Sequence, residues 1–250
     1  MRLVAFCEAA ADFQIASELV DRVLREAGPD WVGDVLDTAP DGVRSWRGIG
    51  GGMFFVLRDL TKHADDLGVR VLHGHFDGRP GAADAVMGRT VFAIVRTLVN
   101  RGDAIDAALV IRDMDDQPER QTGLGHARTE ARAWATFRIV LGCARAKREA
   151  WVLCGFEPEN DDEHARLNEL RQELGFQPHE HAYRLDAKDE QAKRSAKRVL
   201  RQLTGDDRGR EEQCWKETPL DTLRARGELT GLRDYLEELE QHLVPLITRR

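Results

Sequence analysis

Three carboxylates stand at the ends of two apolar runs. Glu8 closes the run Leu3-Val4-Ala5-Phe6-Cys7, and Asp113-Met114-Asp115 closes the run Ala107-Ala108-Leu109-Val110-Ile111. Short apolar runs of this length are expected to be buried strands of a parallel sheet. In open α/β sheets, ligands bind at the carboxyl ends of the strands. The pattern therefore predicts three carboxylates at the sheet edge where chemistry usually occurs. Carboxylates gathered there are costly unless they bind a cation or share protons. A hard, oxygen-seeking ion such as magnesium is the natural partner. Asp113 and Asp115 alternate along a strand and are expected to share a face, where they could bind one ion together. Glu8, from a neighbouring strand, could complete the site or act as a general acid or base.

The elements that must hold these residues follow from the apolar pattern. Strands are predicted at residues 2–8, 69–76, 107–115 and 137–144. Asp12 can cap the helix after the first strand, and Phe13, Ile15, Ala16, Leu19, Val20, Val23 and Leu24 give it an apolar face before Gly28-Pro29 ends it. Residues 29–51 are rich in Gly, Asp and Pro and predict a loop, with a short helix around Trp31 to Leu36. Helical patterns cover 53–67, 82–100 and 122–136, the last with Gly123 and Gly125 near its start, and a short helix begins at Arg148. Beyond 157 the pattern is helical at 161–174, 186–204 and 229–246, with one short strand near His181 to Leu185. Alternation of this kind predicts an α/β fold. Its mainly parallel sheet has about four strands with helices on both faces, and a helical C-terminal part follows. The expected division is a catalytic domain over 1–157, with an insertion at about 29–67, and a helical extension over 158–250.

The chain has 250 residues, 42% hydrophobic and 32% charged, which suits one large α/β domain or such a domain with a helical appendage. No apolar run approaches the roughly 18 residues that a membrane span needs. No basic segment precedes a longer apolar one at the N-terminus, so the expected compartment is the cytoplasm. A formal net charge of -7 argues against indiscriminate nucleic-acid binding. Yet Lys188, Lys193, Arg194, Lys197, Arg198 and Arg201 cluster, with Arg208 and Arg210 just beyond. Such a stretch is either a solvated helix face or a local basic face that holds a phosphate backbone. Cys7, Cys143, Cys154 and Cys214 form no CxxC and are expected to be buried as small hydrophobes.

Other candidates carry less. His73 and His75 alternate on the predicted second strand, but a zinc site needs at least one more ligand, and no Cys or His spacing nearby supplies one. His179 and His181 flank Glu180 in a predicted surface loop. Trp151 is expected in the core beneath the site. The glycines at 48–52 are not followed by Gly-Lys-Ser or Gly-Lys-Thr, so they make no phosphate-binding loop. Leu229, Leu232, Tyr235, Leu236, Leu239, Leu243 and Val244 form an amphipathic stripe. It packs on the chain's own sheet, or else takes a partner helix or a second copy of the chain.

Glu8 after the first strand and Asp113-Met114-Asp115 after the third resemble the signature of the Toprim fold. That fold is shared by topoisomerases, bacterial primases and nucleases of the overcoming-lysogenization-defect type. The order of elements agrees over residues 2 to about 145. Two departures are the insertion before the second strand and Ala9, where a Gly is usual after the glutamate. The segment Ala146-Lys147-Arg148-Glu149-Ala150-Trp151-Val152-Leu153 resembles the Glu-Ala-Trp motif of small bacterial Toprim-like proteins. Asp186-Ala187-Lys188 resembles their downstream lysine motif. Those proteins are often encoded beside ATPases and are linked to phage defence.

The resemblance implies a metal-dependent endonuclease acting on DNA rather than RNA. Magnesium, or manganese in its place, would be held by Glu8, Asp113, Asp115 and Glu149. It would polarise a phosphate for attack by water. Lys188 would neutralise charge on the transition state. Asp116 could assist from the opposite face. It also implies a separate ATPase as partner in an antiphage system. With only Tyr183 and Tyr235 and a short chain, strand passage is discounted, and no template-binding domain for a primase is visible. The alternative from another class is a non-catalytic interaction subunit of an ATPase complex. A metal-dependent nucleotide-sugar transferase would use the Asp pair but leaves Glu8 unexplained, and a phosphatase would place its pair after the first strand.

Overall fold

The apolar run after Met1 forms β1 (Arg2–Cys7), in which every residue after Arg2 is buried. α1 (Ala10–Ala27), α2 (Trp31–Thr38), β2 (Ser45–Trp46), β3 (Phe55–Val56) and α3 (Leu60–Asp66) follow. Next come the hairpin of β4 (His75–Phe76) and β5 (Arg79–Pro80), then α4 (Ala85–Asn100), β6 (Ala107–Asp113), α5 (Pro118–Ala131), β7 (Arg138–Ala144) and α6 (Arg148–Cys154). The C-terminal part holds α7 (Asp161–Leu174), α8 (Ala196–Thr204), α9 (Arg208–Lys216), α10 (Leu220–Arg226) and α11 (Leu232–Thr248). The computed structural model describes residues 1–70, 74–76, 78–115 and 117–248.

The main sheet is parallel, in the order β2-β1-β6-β7, with β3 also paired to β1. Phe6 lies opposite Val110, and Asp113 lies opposite Ala144. Glu8, Asp113 and Arg145 therefore leave the sheet at one edge, its carboxyl edge. The strands are apolar on both faces because helices cover both. Leu3, Ala5, Leu109 and Ile111 join a cluster with α1, α6 and the C-terminal helices, whereas Val4, Phe6, Ala108 and Val110 join one with α4 and α5.

α11 settles the fate of the amphipathic stripe. It lies against β7 and α1, and Leu232, Tyr235, Leu236, Leu239 and Leu243 are buried there. The Tyr235 ring stacks on Trp151, with centroids 5.2 Å apart. Both polar tips are satisfied, as buried aromatics require. The Tyr235 hydroxyl donates to Ala16 O (3.1 Å), and the Trp151 indole N–H donates to Thr230 O (3.0 Å). Leu229 alone of the stripe stays exposed.

Several expected elements are corrected. Of the second strand predicted at 69–76, residues 71–73 lie outside the described residues, and His75–Phe76 pairs antiparallel with Arg79–Pro80 in a separate hairpin. Among the described residues, the partners of β1 on the side away from β6 are β2 and β3, from the segment expected to be loop and helix. Strands of two residues are too short to show an alternating pattern. α5 begins at Pro118, which places Gly123 and Gly125 in its body. A Cβ on Gly123 would sit 1.9 Å from Ala83 O, so glycine is what lets α5 approach the start of α4. The strand near His181 is a 3-10 turn at Ala182–Arg184, and α8 begins only at Ala196. Among the described residues, no helix is long and apolar enough to cross a membrane.

Candidate functional site

The carboxyl edge gathers acidic side chains from β1, α1, β6 and α6. Asp113 ends β6, and its Oδ1 accepts the backbone N–H of Arg148, the first residue of α6 (2.9 Å). Burial pushes the Asp113 carboxyl up to about 8, with the charges of Asp12, Glu149 and Glu8 adding to the rise. Those four carboxylates are thus one electrostatic group, contributed by four elements. Asp12 is itself raised by burial, although the Ala9 N–H (2.8 Å) and Arg148 favour its charged form. Glu211 on α9 is raised too, by burial and by Glu149, which opposes the pull of Arg148.

Arginines offset this charge. Arg148 Nε lies 3.2 Å from Asp12 Oδ1, and its Nη2 lies 3.2 Å from Glu149 Oε1. Arg112 contacts Glu8 through Nη1 and Asp84 Oδ2 through Nε (2.8 Å). Glu8 Oε1 also accepts the Asp113 backbone N–H (3.1 Å). Arg120, on the first turns of α5, donates to Asp115 Oδ2 (2.8 Å) and to Asp113 O (2.9 Å). Its Nε stands 3.8 Å from Asp84 Oδ2. Burial works to lower the Arg112 guanidinium, but Asp84 and Glu8 raise it overall.

The sequence-predicted residues therefore divide into two sets. Glu8, Asp113 and Glu149 are brought together. Asp115 is not an extension of the strand: β6 stops at Asp113, Met114 is buried, and Asp115 takes a left-handed conformation (φ 47°). The expected alternation onto a shared face therefore ends before it. Asp115 lines a narrow cleft with Lys147, Asp186 and Lys188. Lys188 is exposed and is not part of a helix. Asp116 and His73 lie outside the described residues, and His75 is exposed.

The basic stretch is not one continuous face. Lys197, Arg198 and Arg201 pair with Glu190, Glu173 and Asp206, and Arg210 is buried against Glu163. Lys193 and Arg194 remain exposed. His179 is buried rather than on the surface, and burial lowers its imidazole from the usual value. All four cysteines are buried, and burial pushes Cys143, Cys154 and Cys214 up to about 12, which leaves those thiols unreactive.

Asp12, Asp84, Arg112, Arg120 and Arg148 were not apparent as site residues from sequence. Arg112 and Arg148 directly precede Asp113 and Glu149, the one local signal available. The donors at this edge are carboxylate oxygens, the set that hard divalent cations take. In donor chemistry the residues fit magnesium or manganese. No group of three or more His, Cys, Asp or Glu side chains among the described residues is arranged to hold a metal. Glu8, Asp12 and Glu149 instead pair with guanidinium groups, whereas Asp113 accepts a backbone N–H. No protein-family model matches the chain, and neither curated proteins nor solved structures give a match.

Proposed function

We propose that the chain is a metal-dependent endonuclease of Toprim type that cleaves phosphodiester bonds in DNA, as the effector of an antiphage system working with an ATPase. The observation that carries this is Asp113. It is a carboxyl at the sheet's carboxyl edge, raised to about 8 by burial and by Asp12, Glu149 and Glu8 around it. Carboxylates crowded to that degree are what a divalent cation relieves. Glu8, Asp113 and Glu149 would hold the ion, with Asp12 supporting them through Arg148. When bound, the ion would supply the positive charge that polarises a phosphodiester oxygen. Lys188, across the narrow cleft from Asp115, would offset charge developing on the phosphate. Of the two tyrosines, Tyr235 is buried in the core and Tyr183 is exposed.

A second reading has its own observation. Every carboxylate of the cluster except Asp113 faces an arginine side chain, as a structural ion-pair network would require. That favours a non-catalytic interaction subunit of an ATPase complex. The two readings separate on nicking of supercoiled plasmid with magnesium or manganese, wild type against Asp113→Ala. The nuclease reading expects nicking by the wild type, lost in the variant. Equal nicking by both overturns the place of Asp113. No nicking by either, with the ATPase added, leaves the interaction subunit.

A further inference from the structure

We infer that Arg112, which rests on Glu8, is a phosphate-binding residue held ready by Asp84, which acts as a positioning residue. The inference rests on the nuclease reading and names a substrate contact for it. Asp84 is the informative residue. It occupies the N-cap position of α4, where an aspartate ordinarily accepts a bond from its own helix. Its side chain makes no such bond. It instead accepts from Arg112 Nε at 2.8 Å and faces Arg120 Nε at 3.8 Å. Asp84 also holds a left-handed backbone (φ 62°), which aspartate adopts more readily than most residues. Asp115, at the far end of the same chain of ion pairs, is left-handed as well (φ 47°).

The division of donors on Arg112 gives the mechanism of exchange. Its Nε is committed to Asp84, whereas its Nη1 rests on Glu8. Glu8 is the more open partner, with a side chain 36% exposed against 16% for Asp84. A cation at the carboxyl edge would claim Glu8. The guanidinium would keep its seat on Asp84 and turn its freed N–H donors toward the anion that arrives with the cation. A planar guanidinium suits a phosphate because it offers paired parallel donors. No bond is made or broken in this step; one ion pair is exchanged for another.

The test is equilibrium binding of a short fluorescein-labelled DNA duplex, followed by anisotropy over a range of salt, with calcium in place of magnesium. Arg112→Gln is expected to weaken binding about tenfold and to lower the salt slope by about one, the signature of one lost phosphate contact. Arg112→Lys keeps the charge, and so the slope, but binds more weakly because the fork is lost. Asp84→Asn is expected to weaken binding, and Asp84→Glu to restore part of it, which a purely structural role would not predict for variants of equal melting temperature. Should Arg112→Gln fail to fold, Arg112→Lys carries the test. Unchanged affinity and slope in the Arg112 variants, while Asp113→Ala still abolishes nicking, overturns this inference alone. A wild type that does not bind the duplex at any salt overturns the inference and the nuclease reading together.

Discussion

Asp113 bears the largest electrostatic load at the carboxyl edge, and that load makes folding pH-dependent. Its ordinary value is 3.8, and in the fold it is raised to about 8. Below pH 3.8 the carboxyl is protonated in both folded and unfolded chains, and its contribution is fully present. Between 3.8 and about 8 the unfolded chain has released the proton that the folded chain still holds, so stability falls as pH rises through that window. Asp113→Asn removes this dependence. Its melting temperature should gain on the wild type from about pH 4 to about pH 8 and then run parallel to it. A constant gap across that range would contradict the assignment. Glu8, Asp113 and Glu149 were legible in sequence because each sits at the end of an apolar run or the start of a helix. Asp84, Arg112, Arg120 and Arg148 were not, because ion pairs between distant elements leave no local spacing.

At the scale of elements, two contacts fix the site's geometry. The close approach of α5 to the start of α4 sets where Asp84 meets Arg112 and Arg120, and it depends on Gly123. Gly123→Ala puts a methyl group against the Ala83 carbonyl. It should destabilise the protein by about 1–3 kcal/mol in urea unfolding, as overpacking does. It should also weaken DNA binding in the manner of Asp84→Asn; destabilisation with unchanged binding would detach α5 from the site. Trp151 supports the other side, stacked on Tyr235 beneath α6. Trp151→Ala should cost about 3–5 kcal/mol by the same measurement. β6 and β7 were legible because each seven-residue strand is mostly one continuous apolar run. β2 and β3, two residues each, carried no such signal.

Across the whole molecule, the C-terminal helices share one buried cluster with the sheet. α9 brings Glu211 beside Glu149 and Arg148, and the segment before α8 brings Lys188 to the cleft lined by Asp115. Composition predicted a large α/β core correctly, and the alternation of elements predicted the parallel sheet. Neither could show that arginines face Glu8, Asp12 and Glu149. The account holds that this edge is a divalent-cation site whose occupation displaces Arg112 from Glu8. Manganese titrated into metal-free protein, with the free ion followed by electron paramagnetic resonance, tests this most directly. The account predicts saturable binding by the wild type that is reversed by chelator and lost in Glu8→Gln and Asp113→Asn, both still folded. No binding by the wild type, or equal binding by all three proteins, would contradict it.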